Sequence, residues 1–416
     1  MAGNLTIPVK YKLAKKYLRG EIKLSELSAM AGSEENAMAI RKEALRIKYG
    51  AELNDTKPDF TDIAKRNTEN LLGLVSVPYG YVEVSIKEGL MRGTHPVFLA
   101  TTEGRLIAGI NRGAKAIDES GGATVEIFGN KMTRSVIIET KGIKDTKKIM
   151  DFVKSNEGLD LAKKEFSKYT KHSELKSIEC HQAGKYLFLV YEADTKAAMG
   201  MNILTIASSN ATAALIRKLN DLGITCELVS ESGNMCVDKK PSYLNIQKGR
   251  GVSIVAEVTI PKEIITKHFG IAPAHIVKLN TVKNYIGSDL AGSLGHNAQV
   301  ANILAATYIA YGQDPAQVAE GSTASDYAEL TENGDLNLIV KIPALEVGTY
   351  GGGTVREMQK QLLIASGVYG EGDEIGVSKL KLAELIATTA LAAELNLIAT
   401  LAKHELGKAH ASLKRG

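Results

Sequence analysis

The sequence has little cysteine and proline and no tryptophan: 3 cysteines and 9 prolines occur among its 416 residues. The three cysteines, Cys180, Cys226 and Cys236, are odd in number and lack CxxC spacing, which excludes a disulfide framework and a cysteine-based zinc site. We therefore predict no metal site and a reducing, cytoplasmic location. The 39 glycines accompany so few prolines that they cannot belong to a Pro/Gly-rich linker. We expect these glycines in the loops of a folded protein.

The sequence also lacks a strong excess of charge of either sign. Lysine and arginine number 51 and aspartate and glutamate 47, a net charge of +4 that argues against a nucleic-acid partner and fits a small anionic ligand better. The amino terminus has no apolar signal core, and the most apolar tract, Leu382 to Ala402, is interrupted by Glu384 and Glu394. This tract is predicted to be a packed helix of a soluble protein without a membrane span.

The residue pattern changes along the chain in a way that predicts several domains. A length of 416 residues suggests two or three of them. Helix-compatible spacing occupies residues 9–54, and short β-branched runs follow from Leu71. Alternating strands and helices from Arg134 to Ser230 predict a compact α/β insert, with a helix over Ala211 to Leu222.

After this insert the chain returns to long Ala-rich helices and Gly-rich loops. The helices are predicted over Ser293 to Tyr311 and over Leu380 to Lys403. Because this pattern matches the part that precedes the insert, we predict that the larger domain is discontinuous.

The segment SGNMCVDKKP, residues 232–241, combines a hydroxyl, an amide, a carboxylate and the adjacent lysines Lys239 and Lys240. Adjacent ammonium groups repel each other, and burial disfavours a charged lysine, so a loop that folds inward around them suits an anion or an oxyanion. The alternative is a solvated charged turn.

The segment YGQDPAQ, residues 311–317, has the pattern of a helix start. Asp314 is placed at the N-cap, Pro315 at the first helical position and Gln317 at the third, which predicts a capping box. A structural cap is the simpler interpretation of Asp314. A cap carboxylate between two buried helices is also a rigidly held charge.

Two glycine-containing segments are weak candidates for ligand binding. EVGTYGGGT, residues 346–354, lies between an apolar strand and a helical segment, an arrangement that can hold phosphate. Its spacing is neither GxGxxG nor a Walker loop. MGMN, residues 199–202, has methionines that are more often core residues than cofactor contacts.

HELGKAH, near the carboxyl terminus, has two histidines, His404 and His410, which are six residues apart. The zinc motif HExxH places its histidines four apart on one helical face, so zinc binding is not predicted. An exposed, inert histidine is the simple interpretation of His410.

Together these segments resemble the catalytic portion of 3-hydroxy-3-methylglutaryl-CoA (HMG-CoA) reductase, in its class I, eukaryotic and archaeal form. The resemblance runs from about Glu69 to His410 in the family's order and at nearly its spacing. The matching motifs are ATTEG, INRGAKAI, KMTR, MGMN, SGNMCVDKKP, GRG, KNYIGSDLAGS, NAQVANI, GQDPAQ, EVGTYGGGT and GKAH.

The resemblance implies an α+β fold and NAD(P)H-dependent reduction of HMG-CoA to mevalonate and CoA. The fold would have a discontinuous, helix-rich large domain around a long central helix, residues 69–134 and 231–416, which binds HMG-CoA. A small, ferredoxin-like cofactor domain, residues 135–230, would be inserted in it, and residues 1–68 would form a helical N-terminal domain. A homodimer or homotetramer would complete its active sites between subunits.

The resemblance also assigns four catalytic residues. Lys239 would stabilise the oxyanion at the thioester carbonyl and again at the aldehyde. Glu103 would donate a proton, with its pKa raised by burial, and Asp314 would lie between Glu103 and Lys239. His410 would protonate the departing CoA thiolate from a flexible terminal segment.

Further residues are assigned to ligands by the same motifs. The implied substrate-binding residues are Arg134, Ser232, Asn234, Asp238, Lys240, Lys283 and Asn302. The implied cofactor-binding residues are Asn111, Arg112, Lys171, Met199, Gly200, Met201, Asn202, Gly351, Gly352 and Gly353.

Three positions depart from the family pattern. Ala197 replaces an acidic residue that usually precedes MGMN, and Val82 to Ser85 replace a Gly-Pro-Leu stretch. Lys171 stands where an arginine usually meets the 2′-phosphate of NADPH. NADPH is the expected cofactor, with NADH possible because Glu192 and Asp194 lie nearby in sequence.

Two alternative functions remain open at this point. The departures at Ala197 and at Val82 to Ser85 would fit a relative that reduces another acyl-CoA. A non-catalytic CoA- or nucleotide-binding protein on the same fold is the second alternative, against which the presence of all four implied catalytic residues argues.

Overall fold

The computed structural model describes residues 5–23 and 26–404. The helices in these residues are α1 (Ile7–Leu18), α2 (Leu27–Ala31), α3 (Glu34–Tyr49), α4 (Phe60–Arg66), α5 (Leu106–Glu119), α6 (Ile143–Lys154), α7 (Asn156–Ser167), α8 (Met201–Asp221), α9 (Tyr243–Lys248), α10 (Lys262–Phe269), α11 (Pro273–Leu279), α12 (Ser288–Ala291), α13 (Val300–Tyr311), α14 (Val318–Gly321), α15 (Glu357–Ala365) and α16 (Val377–Ala402). A π-helix spans Asn280–Gly287, and 3-10 helices span Pro315–Gln317 and Gly352–Val355. The strands are β1 (Tyr79–Glu88), β2 (Gly93–Ala100), β3 (Ala123–Thr140), β4 (Glu174–Ala183), β5 (Tyr186–Asp194), β6 (Cys226–Ser230), β7 (Gly251–Ile260), β8 (Ser325–Leu330) and β9 (Leu336–Leu345).

The described strands form one mixed sheet with a main path in the order β2-β1-β3-β7-β9-β8. β1 and β3 are parallel, and β1–β2, β3–β7, β7–β9 and β8–β9 are antiparallel. The strand β3 has 18 residues and belongs to two parts of the sheet. Its first half pairs with β7, up to Lys131, and its second half pairs with β5 and β6 from Met132 onward. A single continuous strand therefore joins the two parts.

Buried apolar side chains of the described residues form three clusters. The largest surrounds α16 and includes residues of β1, β2, β7, β9, α5 and α13. The second lies among the end of β3, β4, β5 and the helices α6, α7 and α8. The third joins α1, α2 and α3. The molecule is thus a mixed α/β protein, and each of these three parts of the chain has a core of its own.

The helix α16 is the centre of the largest core. It is long and apolar enough to cross a membrane by length and composition, but 78% of its most apolar window is buried inside the protein. The two glutamates in the apolar tract are buried acceptors: Glu384 receives the backbone N–H groups of Leu90 and Met91 at 2.9 and 2.8 Å, and Glu394 receives those of Ala298 and Gln299, both at 2.7 Å. The prediction of a packed helix is confirmed. Its glutamates hold neighbouring loops.

Two predicted helix starts are wrong. α8 begins at Met201, ten residues before Ala211, although Thr and Ser residues weaken its helix propensity. These hydroxyls are satisfied within the helix, because Thr205 donates to the Met201 carbonyl at 2.9 Å and Thr212 to that of Ser208 at 2.8 Å. Neither α7 nor β4 was predicted from the residue pattern.

The helix predicted from Ser293 begins only at Val300. The preceding residues are held in another conformation: His296 forms a parallel bridge with Ser325, and the Asn297 side chain accepts the Val300 N–H at 3.1 Å. The carboxylate of Glu394 binds the next two backbone amides. These long-range contacts override the local helical pattern.

The unusual stretch Val82 to Ser85 is part of β1, where Val82 and Val84 are buried. Between them Glu83 points outward and accepts hydrogen bonds from the Tyr49 hydroxyl and, at 2.8 Å, from Lys48. These partners lie on α3. Glu83 in this stretch therefore connects α3 to the sheet.

Candidate active site

The loop that carries Lys239 has a strained backbone. Asn234, Val237 and Lys239 adopt φ values of 60°, 51° and 59°, a left-handed region that is costly for residues other than glycine and above all for β-branched valine. The surroundings hold this conformation, since Gly233 donates its N–H to the Ser135 carbonyl at 2.9 Å and the Lys239 N–H donates to the Glu320 carboxylate. The alternative of a freely solvated turn does not describe this loop.

Lys239 and Asp314 form an ion pair. The Lys239 ammonium lies 2.6 Å from Oδ2 of Asp314, and the other carboxylate oxygen of Asp314 accepts the Ala316 N–H at 3.0 Å. The hydrogen bond that Lys239 donates to Asp314 raises the pKa of Lys239 above its ordinary value. The predicted N-cap is confirmed, and the same carboxylate is the rigidly held charge that the sequence suggested. The capping box is incomplete, because Gln317 donates to Asp238 at 3.1 Å instead of returning to Asp314.

Several of the predicted substrate-binding residues surround this pair. Arg134 of β3 lies 4.0 Å from the Asp238 carboxylate, and its Nε is buried without a hydrogen-bond partner. Ser232 and Asn234 are exposed on the same loop, and Lys240 donates to the Asp238 carbonyl at 3.3 Å. The structure therefore brings together Arg134, Ser232, Asn234, Asp238, Lys239 and Lys240.

Glu103 and Asn302 belong to a second region. Together with Arg112 they line a cavity of about 550 Å³ between α5, α13 and α16. Arg112 is held by Asn396, which accepts from its Nε at 2.7 Å, and by Thr400 at 2.5 Å. Asn111 precedes Arg112 on α5. Lys283 lies on the π-helix, donates to Asn284 at 3.0 Å and is not among the residues that line this cavity.

The two regions lie at opposite ends of α13. Asn302 is in its first turn, and Asp314 lies three residues beyond its last residue, Tyr311. At a rise of 1.5 Å per residue, the helix spans about 14 Å from Asn302 to Tyr311. Among the described residues, no hydrogen bond or ion pair joins the Glu103 carboxylate to Lys239 or Asp314, and Glu103 is exposed. Within the described residues of one chain, Asp314 therefore contacts Lys239 and makes no hydrogen bond or ion pair with Glu103. The burial implied for Glu103 is also absent from the single chain.

The two glycine-containing segments contact each other. The Thr349 N–H donates to the Ala197 carbonyl at 2.8 Å, and a Cβ on Gly348 would lie 2.4 Å from the Met199 nitrogen. Met199 to Asn202 lead into α8, where Gly200 has φ 93°. Gly351 and Gly352 have positive φ and open space around them. Gly348 allows the close approach to Met199 because it has no Cβ. Gly200, Gly351 and Gly352 allow the positive φ for the same reason.

The glycine segment also contacts the residues that lead to Asp314. The Gln313 side chain donates to the Gly348 carbonyl at 2.8 Å and accepts its N–H at 2.7 Å. A Cβ on Gly312 would lie 2.4 Å from the Gly353 carbonyl oxygen. The predicted cofactor residues Met199 to Asn202 and Gly351 to Gly353 therefore lie beside the Lys239–Asp314 pair, whereas Asn111 and Arg112 lie in the other region. Lys171 is exposed just before β4.

Lys379 is a buried lysine that the sequence did not single out. It is 3% exposed on α16, and its ammonium donates to Thr195, two residues before Ala197, at 3.3 Å. Burial lowers its pKa from 10.5 to about 8; Asp194 and Asp373 oppose this effect and Lys196 adds to it. The available signal was the position of Lys379 among the apolar residues of this helix, in SKLKLAEL, where Lys381 is the other lysine.

Replacing Lys379 by methionine is expected to raise the free energy of unfolding at pH 7 by up to about 3 kcal/mol, because the wild-type protein buries an ammonium there. Between pH 8 and 10.5 the unfolded chain binds the proton that the folded protein has lost, so the stability of the wild-type protein rises with pH. The advantage of Lys379→Met should therefore shrink over this range. Urea unfolding of the variant and the wild-type protein at pH 7 and pH 10 measures this difference in the free energy of unfolding. Lys381→Met is the control on the same helix. A variant less stable than wild type at pH 7 would contradict this expectation.

Two expectations concern metals and the terminal histidine. In residues 5–23 and 26–404, no group of three or more His, Cys, Asp or Glu side chains could hold a metal ion. His410, the implied thiolate acid, lies outside the described residues.

Comparisons with known proteins agree on one family. A family model described as hydroxymethylglutaryl-coenzyme A reductase matches residues 37–415. The 3-hydroxy-3-methylglutaryl-coenzyme A reductase of Pyrococcus abyssi is 38% identical over 408 residues, 97% of this chain and 99% of the relative. That of Methanocaldococcus jannaschii is also 38% identical over 408 residues, 97% of this chain and 98% of the relative.

A solved structure gives the same indication for the fold. The class II 3-hydroxy-3-methylglutaryl-CoA reductase from Streptococcus pneumoniae, bound to NADPH in open conformations, superposes with a TM-score of 0.65 at 18% identity, covering 95% of this chain and 97% of that one. The chain belongs to the hydroxymethylglutaryl-coenzyme A reductase family.

Proposed function

We propose that this protein reduces HMG-CoA to mevalonate and CoA with two molecules of NADPH. One observation carries the proposal: the Lys239 ammonium is fixed 2.6 Å from Asp314, directly after the Gly312–Gln313 segment that contacts the glycine loop. A cation held beside a candidate cofactor loop is what a carbonyl reduction requires. Conversion of a thioester to an alcohol is a four-electron change, and NADPH, when bound, supplies the two hydrides.

Lys239 is the proposed oxyanion-stabilising group. An ammonium has three N–H donors, and the pair with Asp314 uses one of them. Because this pair raises the pKa of Lys239, the side chain stays charged at neutral pH. It would stabilise the negative charge on the thioester oxygen and, in the second reduction, on the aldehyde oxygen.

Glu103 is the proposed proton donor, and it would act across a subunit boundary. Its cavity and the Lys239–Asp314 pair lie at opposite ends of α13, so one chain does not assemble them. A homodimer, or a homotetramer built from such dimers, would place Glu103 of one subunit opposite Lys239 of the other and bury it.

The remaining site residues have proposed roles in binding and in the last proton transfer. Arg134, Ser232, Asn234, Asp238 and Lys240 would hold the polar groups of the substrate beside Lys239, and Lys283 and Asn302 would contribute from the Glu103 side. His410 would protonate the CoA thiolate. The charged groups of this set suit the carboxylate and thioester of an anionic acyl-CoA.

The glycine loop and the start of α8 fit a dinucleotide. The open space at Gly351 and Gly352 allows backbone contact with a phosphate, and the N-terminus of the 21-residue helix α8 favours an anion. We propose that Met199, Gly200, Met201, Asn202, Gly351, Gly352 and Gly353 hold the cofactor, with Asn111 and Arg112 reaching it or the CoA moiety from the Glu103 side.

Lys171 would meet the 2′-phosphate of NADPH. The nearby carboxylates do not oppose this, since Lys131 pairs with Glu192 and Lys196 lies 3.3 Å from Asp194.

We also propose the class I form, with the domain division 1–68, 69–134 with 231–416, and 135–230, and a cytoplasmic location. The archaeal relatives at 38% identity support the class. The hydrophobic clusters support the division. The third lies within residues 1–68, and the second lies within 135–230 except for Met132. The largest lies within 69–134 and 231–416 except for Leu45, Ala51 and Leu53. The second cluster, with its strands and helices, would be the ferredoxin-like cofactor domain.

Steady-state kinetics with NADPH and NADH test the reaction and the cofactor together. We expect HMG-CoA to oxidise two NADPH per molecule, with NADPH preferred over NADH. Lys171→Ala is expected to raise KM for NADPH about threefold to fivefold, as for the loss of an exposed ion pair, and to leave KM for NADH unchanged. Lys168→Ala, three residues earlier, is the control. Reduction of another acyl-CoA, but not of HMG-CoA, would overturn the proposed substrate.

A further inference from the structure

Arg250 has its guanidinium completely buried behind the Lys239 loop. It lies between α9 and β7, with 0% exposure. Its Nη1 donates to both oxygens of Glu320, at 2.8 and 3.0 Å, and to Glu346 at 3.2 Å. Glu320 and Glu346 are also buried. A buried cation with this many partners is costly to assemble, because the guanidinium and its acidic partners are all removed from water.

The other contacts of Arg250 reach each part of the proposed active site. Its Nη2 donates to Asp238 at 3.2 Å and contacts the Met201 sulfur at 2.9 Å, and its Nε donates to Thr133 at 3.1 Å. Asp238 precedes Lys239, Met201 begins α8, and Thr133 precedes Arg134. Glu346 leads into the glycine loop. One guanidinium therefore contacts the substrate loop and both cofactor segments.

Glu320 connects Arg250 to Lys239, because it accepts hydrogen bonds from both residues. One of its oxygens accepts the backbone N–H of Lys239, and the other accepts Asn245 at 2.8 Å. The Asn245 amide also lies 3.4 Å from the Val237 carbonyl. Both Val237 and Lys239 have positive φ, so these hydrogen bonds fall on the strained positions. A strained backbone persists only where its surroundings fix it.

The charges of this cluster balance if one carboxyl group is neutral. Arg250 and Arg134 face Asp238 and Glu320, and Glu346 is the third acid. Burial, and then the charge of Glu320, raise the pKa of the Glu346 carboxyl well above its ordinary value, which favours its neutral form. With Glu346 neutral, two cations face the two remaining acids. Glu320 is the side chain that contacts both the Arg250 guanidinium and the Lys239 backbone N–H.

We propose that Arg250, acting through Glu320 and Asp238, is the positioning residue that fixes Lys239 in its left-handed conformation against the cofactor segments. This inference rests on the proposed function. Arg250 does not itself touch a ligand, because it is fully buried. A lysine at this position would keep the charge but lose the planar fork that reaches Glu320, Asp238 and Met201 at once.

Arg250→Lys and Glu320→Gln are expected to lower kcat about 100-fold, as small displacements of catalytic groups do. For Glu320→Gln, which leaves the contacts of Arg250 with Met201 and Glu346 in place, KM for NADPH should change less than about twofold. Glu384→Gln is the matched control. It alters a buried carboxylate that also accepts backbone amides, but at the β1–β2 connection. It should lower the urea midpoint and leave kcat unchanged.

Hydrogen exchange at the Lys239 amide provides a readout that does not depend on activity. Both variants should speed exchange at this amide at least about tenfold, because its acceptor is displaced, whereas Glu384→Gln should not. If Arg250→Lys does not fold, Glu320→Gln and Asn245→Ala, which keep Arg250, decide the question by the same measurements.

Unchanged kcat and unchanged exchange in the folded variants would overturn the positioning role. A wild-type protein that does not reduce HMG-CoA would instead overturn the proposed function, and the exchange measurement would still test how Lys239 is held.

Discussion

Lys239→Ala is expected to lower kcat for HMG-CoA reduction by about 10³-fold or more. The substitution removes the only charged group that the proposed mechanism places at the developing oxyanion, and loss of one preorganised oxyanion donor costs about 10² to 10³ in rate. The lysine is also paired with Asp314, so its removal leaves that carboxylate without its counter-ion. The binding of CoA and NADPH should change little, because the ammonium acts on the transition state.

A nearby lysine provides the control for this experiment. Lys248 pairs with Glu179 at 2.5 Å, and its side chain is 42% exposed, against 43% for Lys239. Lys248→Ala removes a similar surface ion pair outside the proposed site, so kcat should stay at the wild-type value. Single-turnover and steady-state rates, with ligand affinities from fluorescence of bound NADPH, separate the steps. Near-normal turnover of Lys239→Ala would show that this ammonium does not stabilise the oxyanion.

Mixing two inactive variants is expected to restore activity. If Glu103 of one subunit acts with Lys239 of the other, a heterodimer of Glu103→Ala and Lys239→Ala chains contains one site with both residues intact. Random exchange of subunits makes half of the dimers mixed, so about a quarter of wild-type activity should return, as expected for a closed two-fold dimer. Each variant alone should remain inactive. The measurement is the rate after dissociation and reassembly of the mixed chains.

The Lys239–Asp314 pair supplies the control for complementation. Asp314→Ala and Lys239→Ala change residues that contact each other within one chain, so their heterodimer has one disrupted residue in each site and should remain inactive. Failure of Glu103→Ala and Lys239→Ala to complement, in mixtures shown by native mass spectrometry to contain heterodimers, would place both residues in one subunit's site.

Local patterns in the sequence predicted the parts of the site that depend on neighbouring residues. The N-cap at Asp314 follows from the Asp-Pro-x-Gln spacing and is confirmed. The strand before the glycine loop was also readable, because the apolar run of β9 ends at the loop. This spacing does not predict the hydrogen-bond partner of Gln317. The partner is Asp238, which is 79 residues away.

The buried charges were hidden from sequence reasoning for the same reason. Arg250 and Glu320 are 70 residues apart, and each looks like an ordinary surface charge beside glycine. Only the fold shows that both are buried. The separation of Glu103 from Asp314 likewise depends on the length and placement of α13, which local propensity does not specify.

The continuity of β3 limits how the protein could be shortened. Nine residues at the end of this strand, Met132 to Thr140, pair with β5 and β6 and with no strand of the main path. Deleting the region from α6 to β6 would leave them as a bare edge with unpaired N–H and C=O groups, a template for pairing between chains. A truncation that keeps the large core should therefore end β3 near Lys131. A truncated protein that keeps the residues of β3 after Lys131 is expected to aggregate.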